Sequence, residues 1–423
     1  MGTLSSKSTS ELMSVQSALN ALLEHFNPLP AEIIPVQKAI GRVTSNDIAS
    51  PIDLPPFPNS GMDGFAVRAQ DTAMASSASP VQLDVIADIP AGSSSNVKVK
   101  IRQAARVMTG GLIPSGADAV VPVEDTNVMS RNPGIAAPPI VDIYKPVMAS
   151  EHIRHQGQDV RIGERVIISG TLIRPQEIGF LSMLGISEIS VIRKPRVAVF
   201  STGNELLPVN AVLTSSKIHD ANTNMIVSLV EQYGGEALSL GIVTDEIENV
   251  KYTLDMAAAS MVDMIVSSAG VSVGAFDYVR SVVEEHGKLQ FWRVNMRPGK
   301  PVAFGIYRNI PFLGLPGNPV SAFTGFEVFG RPALMKMSGL NNFDIPIENV
   351  YLLETIESDG RESYLRAVVS RNGEKLMARL TGHQGSGNLH SLVQANALLV
   401  IPSGVKSVPA GTRVDAWIIG SVQ

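Results

Sequence analysis

Four short segments between residues 200 and 320 combine glycine, hydroxyl and carboxylate residues. They span residues 201–205, 244–246, 267–277 and 315–319. Three of them carry an acidic side chain, namely Glu205, Asp245 or Asp277. Glycine lets a ligand approach the backbone closely, and hydroxyl and backbone N–H groups bind phosphate oxygens. Carboxylates beside such groups favour a phosphate ester that is bridged by a hard cation such as Mg²⁺.

Three basic residues, Arg293, Arg297 and Lys300, lie downstream and could supply positive charge to one side of the same cleft. Each residue taken singly has an ordinary explanation. An acidic residue near a helix start complements the helix dipole, and surface basic residues are usually solvated. The joint pattern of four such segments favours a binding site over four unrelated turns.

A parallel α/β sheet over residues 193–338 is the element that must position these segments. The pattern predicts strands at residues 197–200, 237–243 and 264–268, and helices at residues 223–234, 247–259 and 276–285. Strand–helix–strand at this pitch is typical of a right-handed parallel sheet. Ligands of open parallel sheets bind outside the carboxyl ends of the strands, which is where the four segments fall.

The rest of the chain divides into three further parts. Residues 1–62 and 151–192 are predicted to form a mixed α/β body, with a helix over residues 11–26. Residues 63–150 form an inserted β module, with strands predicted at 81–86, 97–101, 119–123 and 140–144. Residues 339–423 form a separate β domain, a small barrel or sandwich. Its strands are predicted at 350–353, 364–369, 375–380, 397–401 and 413–419.

Composition excludes several classes of function. Of 423 residues, 44% are hydrophobic and 17% charged, which is typical of globular proteins. The net charge of −5 argues against a nucleic-acid binder, which needs a basic surface. There is no cysteine, so disulfides, thiolate zinc sites and a cysteine nucleophile are excluded. No signal peptide or long apolar run is apparent, so a cytoplasmic protein without a membrane span is expected.

A hydrolase is a rival interpretation. Residues 270–274 read Gly-Val-Ser-Val-Gly, the G-x-S-x-G pattern of a nucleophile elbow, and His383 and His390 follow in the permitted order. However, the next helix is predicted to begin only near Phe276. The serine would therefore lie in a longer loop than an elbow uses, which disfavours this alternative.

Several motifs together resemble the molybdopterin molybdenumtransferase family, which includes MoeA and the gephyrin E domain. In the N-terminal half they are residues 62–67 (MDGFAV), 108–111 (MTGG) and 114–121 (PSGADAVV). In the C-terminal half they are residues 201–206 (STGNEL), 272–274 with 277–278 (SVG, DY), 297–301 (RPGKP) and 314–319 (GLPGNP). The resemblance covers essentially the full chain, with the motifs in the expected order.

The resemblance implies a fold, a reaction and partners. The expected architecture is an elongated homodimer of four-domain subunits. Each cofactor cleft would lie between the α/β domain of one chain and the N-terminal domains of its partner. The implied reaction converts adenylylated molybdopterin and molybdate into molybdenum cofactor and AMP, with Mg²⁺ as the divalent cation. The adenylyltransferase that makes the adduct is a further expected partner.

The resemblance and the loop chemistry together predict the site residues. The predicted catalytic residues are Asp63, Thr109, Asp159, Glu205, Asp245 and Asp277, of which Glu205, Asp245 and Asp277 are also the predicted metal ligands. The predicted substrate-binding residues are Ser201, Thr202, Gly203, Ser272, Gly274, Arg293, Arg297, Lys300, Pro316, Gly317, Asn318 and Ser386. Ser386 would come from the C-terminal domain.

The sequence departs from the family pattern at a few positions and leaves alternatives open. Arg293 and Arg297 stand where many relatives carry lysine, and arginine adds bidentate phosphate contacts. Phe65 stands where tyrosine is common. Molybdopterin adenylyltransferase is the sibling alternative, although such enzymes usually consist of the α/β domain alone. A gephyrin-like scaffold is a second alternative, and the choice between molybdate and tungstate stays open.

Overall fold

The computed structural model describes residues 12–93, 96–128, 136–270, 278–291, 293–343 and 345–422. The chain divides into two compact units. The large unit comprises the residues up to 45, residues 170–175 and the residues from 188 onward. The small unit comprises residues 46–169 and 176–187. Within the described ranges, every helix is too short or too polar to cross a lipid bilayer.

The elements follow one another along the chain in three stretches. The first stretch contains α1 (Val15–Leu23), β1 (Ala31–Pro35), β2 (Ile48–Ala49), β3 (Asn59–Ser60), β4 (Gly64–Val67), α2 (Ala69–Thr72), β5 (Val81–Ile89), β6 (Gln103–Val107), β7 (Ala119–Pro122), β8 (Ile140–Ile143), β9 (Ile153–Arg154), β10 (Arg165–Ile167), α3 (Pro175–Met183) and β11 (Glu188–Ile192). The second contains β12 (Arg196–Thr202), β13 (Leu206–Leu207), β14 (Ile218–His219), α4 (Asn222–Gln232), β15 (Glu236–Val243), α5 (Ile247–Ala259), β16 (Met264–Ser268), α6 (Tyr278–His286), β17 (Gly287–Phe291), β18 (Met296–Arg297), β19 (Ala303–Tyr307), β20 (Ile310–Leu315), α7 (Pro319–Gly325) and α8 (Arg331–Met337). The third contains β21 (Ile347–Leu352), β22 (Ile356–Glu357), β23 (Glu362–Asn372), β24 (Lys375–Leu380), α9 (Leu389–Val393), β25 (Ala397–Ile401), β26 (Ser407–Val408) and β27 (Arg413–Ile418). Short 3₁₀ turns lie at Val36–Lys38 and Val123–Asp125, and a π turn at Phe326–Gly330 joins α7 to α8.

The small unit is built around a five-stranded sheet in the order β7-β4-β6-β5-β8. Only β5 and β6 run parallel to each other, and the other neighbours are antiparallel. Two short antiparallel pairs, β2 with β10 and β3 with β9, join residues from either side of this sheet in the sequence. The predicted inserted β module is therefore a real sheet whose flanking segments pair with each other.

The α/β part of the large unit has a six-stranded sheet in the order β15-β12-β16-β20-β19-β17. The first four strands are parallel, and the sequence predicts three of them, β15, β12 and β16, but not β20. Strands β19 and β17 add two antiparallel strands that the sequence analysis does not predict. Parallel strands need crossover helices, which place their carboxyl ends on one edge of the sheet.

Strand β12 shows why this sheet lies in the interior. Val197 and Val199 pack into one core with α1 and α4, whereas Ala198 and Phe200 pack into a second core with α5 and α6. Side chains alternate between the two faces of a strand, so a strand covered on both faces must be apolar at every position. This is the physical origin of the uninterrupted apolar run at residues 197–200.

The C-terminal part of the large unit is a closed β-barrel. Strands β23, β24, β21, β27 and β25 pair in that order, and β25 pairs back with β23 to close the ring. The barrel core includes Val350, Leu365, Ala367 and Leu399. The sequence predicted either a small barrel or a sandwich, and the structure is a barrel. Each of the five predicted strands is present.

One strand predicted in the β module is wrong. Residues 97–101 lie outside any strand and make an isolated bridge to the segment at Ser115. They alternate apolar and basic residues, yet Val99 is buried and Ile101 is 68% exposed. The true strand is β6, whose consecutive residues Ala104 and Ala105 are both buried. Ala104 packs into one core cluster and Ala105 into another, so both faces of β6 are covered and its sequence need not alternate.

Candidate functional site

A cleft of about 640 Å³ opens at the carboxyl edge of the parallel sheet. Strands β12, β16 and β20 end at Thr202, Ser268 and Leu315, and the residues that follow them line the cleft. The lining includes Glu205, Asp220, Asn222, Ala269, Gly270, Pro301, Pro316, Gly317, Asn318 and Gly387. Three of the four predicted segments, those that follow β12, β16 and β20, therefore meet at one concavity, whereas Asp245 of the fourth is not among the described residues that line it.

Two carboxylates follow neighbouring strands of the sheet, Glu205 after β12 and Asp245 after β15. Asn204 connects them, because its backbone N–H donates to Asp245 Oδ2 and its side-chain oxygen accepts from the Asp245 N–H, each at 3.1 Å. This reciprocal pair fixes the Asp245 backbone and one of its oxygens. Asp245 Oδ1 makes no hydrogen bond within the described ranges.

The Glu205 carboxylate lies over Gly203. A Cβ atom at Gly203 would meet both carboxylate oxygens at 2.8 Å, and the φ angle of Gly203 is +155°. Side chains rarely adopt that conformation, and the space they would need is occupied by the carboxylate. Glycine at this position therefore allows the Glu205 side chain to fold back toward the cleft.

The third predicted metal ligand, Asp277, and the predicted substrate-binding residues Ser272 and Gly274 lie outside the described residues. They follow Gly270, which lines the cleft. Within the part of the chain that the structure describes, no three histidine, aspartate or glutamate side chains gather into a metal-binding group. The three-carboxylate site stays a prediction.

The predicted substrate ligands Ser201 and Thr202 are both buried, but they differ in their partners. Ser201 Oγ bonds to Asp220 Oδ1 at 3.2 Å and to Thr223 Oγ1 at 2.8 Å, so it faces the protein interior. Thr202 Oγ1 has no hydrogen-bond partner among the described residues, and a Cβ on Gly270 would lie 3.0 Å from it. Of the two hydroxyls, only that of Thr202 is unpaired beside a residue that lines the cleft.

Asp220 and Asn222 are site residues that the sequence analysis missed. Asp220 Oδ1 accepts from the backbone N–H groups of Asn222 and Thr223 at the start of α4. The Asp220 carboxylate thus already complements the positive N-terminal end of the α4 helix dipole. Asn222 Nδ2 donates to Ser268 Oγ at 2.6 Å and to the Gly317 carbonyl at 2.7 Å. The available signal was an Asp-x-Asn sequence directly before a predicted helix.

Ser386 reaches the same site from the barrel. Asn318 Nδ2 donates to Ser386 Oγ at 3.0 Å, and the Ser386 carbonyl accepts from the Val320 N–H at 3.1 Å. Asn318 lines the cleft, as does Gly387 next to Ser386. The structure thus brings Ser386 together with the predicted residues Pro316, Gly317 and Asn318.

Two of the predicted basic residues, Arg297 and Lys300, lie in one segment that leads to Pro301, which lines the cleft. The carbonyl of Lys300 accepts from the Val294 N–H, and Lys300 itself is exposed. Arg297 approaches Asp359, with Nη1 3.9 Å from Oδ2. A hydrogen bond from Arg361 lowers the pKa of Asp359, and the charge of Arg297 contributes in the same direction. Arg293 precedes this segment, and its carbonyl accepts from the Met13 N–H.

Arg366 is a buried cation that sequence reasoning missed, because it lies inside a strand of the barrel. It is 1% exposed, and its side chain donates to neutral groups: Ser391 Oγ at 3.1 Å and the Gly385 and His383 carbonyls at 3.0 and 3.5 Å. Burial, together with the nearby charge of Arg297, lowers its pKa to about 10, so it stays protonated at neutral pH. Two arginines near each other and near Ser386 favour an anion.

The small unit brings together the remaining predicted residues as two pairs. Thr109 donates to Asp63 Oδ1 from both its N–H and its hydroxyl, each at 2.8 Å. Arg154 and Asp159 form an ion pair with both side chains about half exposed. Arg154 lies on β9, opposite Asn59 of β3. The structure therefore supports Asp63 and Thr109 as one group and Arg154 and Asp159 as another.

Comparisons with known proteins agree along the whole chain. Residues 13–185 match the family described as MoeA N-terminal region (domain I and II). Residues 198–336 match the probable molybdopterin binding domain, and residues 349–419 match the MoeA C-terminal region (domain IV).

Individual relatives are similar over nearly their full length. Molybdopterin molybdenumtransferase 2 of Mycobacterium tuberculosis is 34% identical over 414 residues, which is 96% of this chain and 99% of that protein. The molybdopterin molybdenumtransferase of Haemophilus influenzae is 32% identical, covering 95% of this chain and 98% of that protein. A crystal structure of the molybdopterin biosynthesis moeA protein from Pyrococcus horikoshii OT3 superposes with a TM-score of 0.80 at 32% identity, covering 96% of this chain and all of that one.

Proposed function

The chain belongs to the molybdopterin molybdenumtransferase family, whose members act in molybdenum cofactor biosynthesis, and on that premise we propose the reaction that it catalyses. It inserts molybdate into adenylylated molybdopterin and releases AMP and molybdenum cofactor. The observation that carries this proposal is the cleft lined by Glu205, Gly270, Gly317 and Asn318, with Asp245 bound to Asn204 beside Glu205 and Ser386 bound to Asn318.

Mg²⁺ is the proposed cation. Glu205 and Asp245 offer hard oxygen ligands, and the chain has no cysteine to favour a softer metal. These two side chains, completed by Asp277, would hold the ion. When bound, it would neutralise phosphate charge on the adduct and so ease cleavage of the pyrophosphate bond.

The residues of the chain itself would bind and orient the two substrates. The backbone around Gly270 and Gly317 permits close approach of the phosphates. The α4 terminus is already capped by Asp220, so it is not the phosphate site. Arg297, Arg366 and Ser386 would bind the molybdate oxyanion, because Arg366 donates to the Gly385 carbonyl beside Ser386 and the charge of Arg297 acts on Arg366. Ser272 and Gly274 are proposed to contact the adduct from the loop after Gly270.

We also propose that the protein works as a cytoplasmic homodimer that receives its substrate from the adenylyltransferase. Asp63, Thr109 and Asp159 are proposed as its catalytic contribution from the N-terminal half. The support for these points is membership of the family and the two pairs formed in the small unit.

Release of AMP tests the proposed reaction. Purified protein is given adenylylated molybdopterin, Mg²⁺ and molybdate, with tungstate in parallel and Asp277→Asn as the matched variant. The proposal predicts molybdate-dependent AMP release that the variant loses by on the order of 100-fold or more. A folded protein that binds the adduct and releases no AMP would contradict the proposed reaction and favour the alternative of a gephyrin-like scaffold. Pyrophosphate release from ATP and molybdopterin would instead identify an adenylyltransferase.

A further inference from the structure

Lys217 contacts the turn that carries Glu205, and through Asn204 this turn binds Asp245. We propose that Lys217 is a positioning residue for Glu205 and Asp245, acting through the carbonyl of Asn204; this inference rests on the proposed function of the cleft. Its ammonium group donates a hydrogen bond to the Asn204 carbonyl oxygen. Asn204 is the residue whose backbone and side chain bind Asp245. Lys217 thus holds Asn204, the residue that links Glu205 to Asp245.

The segment that contains Lys217 is attached to the same turn at several points. The Ile218 N–H donates to the Glu205 carbonyl at 2.8 Å, and β13 and β14 pair Leu206 with Ile218. Residues 208–217 between these two strands are largely exposed. Lys217 is the last residue of this exposed connection, and its side chain returns across the turn to Asn204.

The contact is suited to positioning rather than to folding. An interaction between partly exposed groups adds little to the free energy of unfolding. The position of a reacting carboxylate is more sensitive, since a displacement of about 1 Å costs on the order of 100-fold in rate. Releasing the Asn204 carbonyl would let the Asn204–Asp245 pair and the adjacent Glu205 shift together.

The charge of Lys217 and its hydrogen bond have opposite effects on the affinity of the two carboxylates for a divalent cation. A positive charge near two carboxylates lowers their affinity for a divalent cation, whereas an ordered turn raises it. Glutamine keeps an N–H donor and removes the charge, while methionine removes both. A comparison of Lys217→Gln with Lys217→Met therefore isolates the hydrogen bond.

The experiment measures Mn²⁺ binding by calorimetry and steady-state AMP release for the full chain and for Lys217→Met, Lys217→Gln and Lys217→Arg. Lys251→Met, on the outer part of α5, is the matched control. We expect Lys217→Met to bind Mn²⁺ several-fold more weakly than Lys217→Gln. We also expect its kcat to fall about tenfold, with KM for the adduct and Tm unchanged. Arginine and glutamine at this position should keep kcat within about threefold of the wild-type value.

Equal Mn²⁺ affinity and equal kcat in the methionine and glutamine variants would overturn the inference. If Lys217→Met does not fold, Lys217→Leu takes its place as the variant without a donor, and the same comparison with Lys217→Gln decides. A wild-type protein that binds Mn²⁺ but releases no AMP would refute the proposed reaction. In that case the Mn²⁺ comparison would still test the role of Lys217.

Discussion

The turn at residues 203–205 shows how single residues place a functional group. Gly203 leaves room for the Glu205 carboxylate, and Asn204 binds Asp245 on the neighbouring strand connection. The sequence analysis identified Gly203, Glu205 and Asp245 from their residue types. It did not select Asn204, because an amide beside two acids has no distinctive pattern until the strand order brings residues 204 and 245 together.

Gly203→Ala is expected to damage activity more than stability. The new methyl group would collide with the Glu205 carboxylate, and the backbone would hold an unfavourable φ at a cost of about 1–3 kcal/mol. Gly234→Ala is the matched control, because Gly234 also has a positive φ (+81°) but no neighbour within 4 Å. Both variants should lose similar stability in thermal unfolding, and only Gly203→Ala should lose at least tenfold in kcat. Equal kcat in the two variants would contradict this role for Gly203.

The difference between residue type and tertiary contact also explains which other site residues could be predicted from the sequence. Ser201 was predicted to bind substrate, yet it bonds inward to Asp220 and Thr223. Arg366 was not predicted, since it follows the alternation of a barrel strand and only the folded barrel shows that its guanidinium meets the loop at Gly385. Residue type and motif order predicted several residues that the structure places at the cleft, among them Glu205, Gly317 and Asn318. They do not give the direction in which each side chain points.

At the scale of elements, the π turn between α7 and α8 holds a charged group in the core. Glu327 is 2% exposed, accepts a hydrogen bond from Tyr233 Oη at 2.8 Å and lies 3.5 Å from Arg331 Nε. Burial raises the pKa of Glu327, and its two partners oppose that shift. The charged form therefore costs stability in the folded state relative to the unfolded chain.

The free energy of unfolding should consequently depend on pH through Glu327. Its raised folded pKa gives a contribution that is present below pH 4.5 and is lost as the pH rises through the folded value. Denaturant unfolding of wild type and Glu327→Gln between pH 4.5 and 8 should show the wild type losing stability relative to the variant. Glu284→Gln, at a surface pair with Arg280, is the control and should show no such trend. A difference between wild type and Glu327→Gln that does not change with pH would refute this account.

The sequence predicted strands correctly where the apolar pattern of the strand alone decides its burial. The parallel strands β12, β15 and β16 and the five barrel strands were predicted correctly because each has a clear apolar pattern bounded by turn residues. The strand predicted at 97–101 was wrong and the added strands β17 and β19 were missed. In both cases the outcome depends on which strands are neighbours, and that is decided by tertiary packing rather than by local sequence.

At the scale of the whole molecule, the predicted catalytic residues are divided between the two compact units. Asp63 belongs to the small unit, and Asp245 belongs to the large unit. The domain boundaries expected from the sequence and the proposed homodimer remain predictions. In the proposed homodimer, each active site would draw residues from both subunits.

Complementation tests that arrangement. Asp63→Asn and Asp245→Asn should each be nearly inactive as homodimers. Co-expressed with different affinity tags, they should form mixed dimers in which one of two sites has both native residues. Random pairing would then restore about a quarter of wild-type activity. Mixed dimers that are isolated through both tags and remain inactive would show that each site is built within one subunit.

The most direct test of the proposed reaction is the stoichiometry between AMP released and molybdenum bound to the pterin. Wild-type protein would be incubated with adenylylated molybdopterin, Mg²⁺ and labelled molybdate, and both products would be quantified from the same samples. The account predicts equal amounts of AMP and pterin-bound molybdenum, with neither formed when molybdate is omitted. AMP released at the same rate without molybdate, or with no molybdenum bound to the pterin, would contradict insertion as the function of this protein.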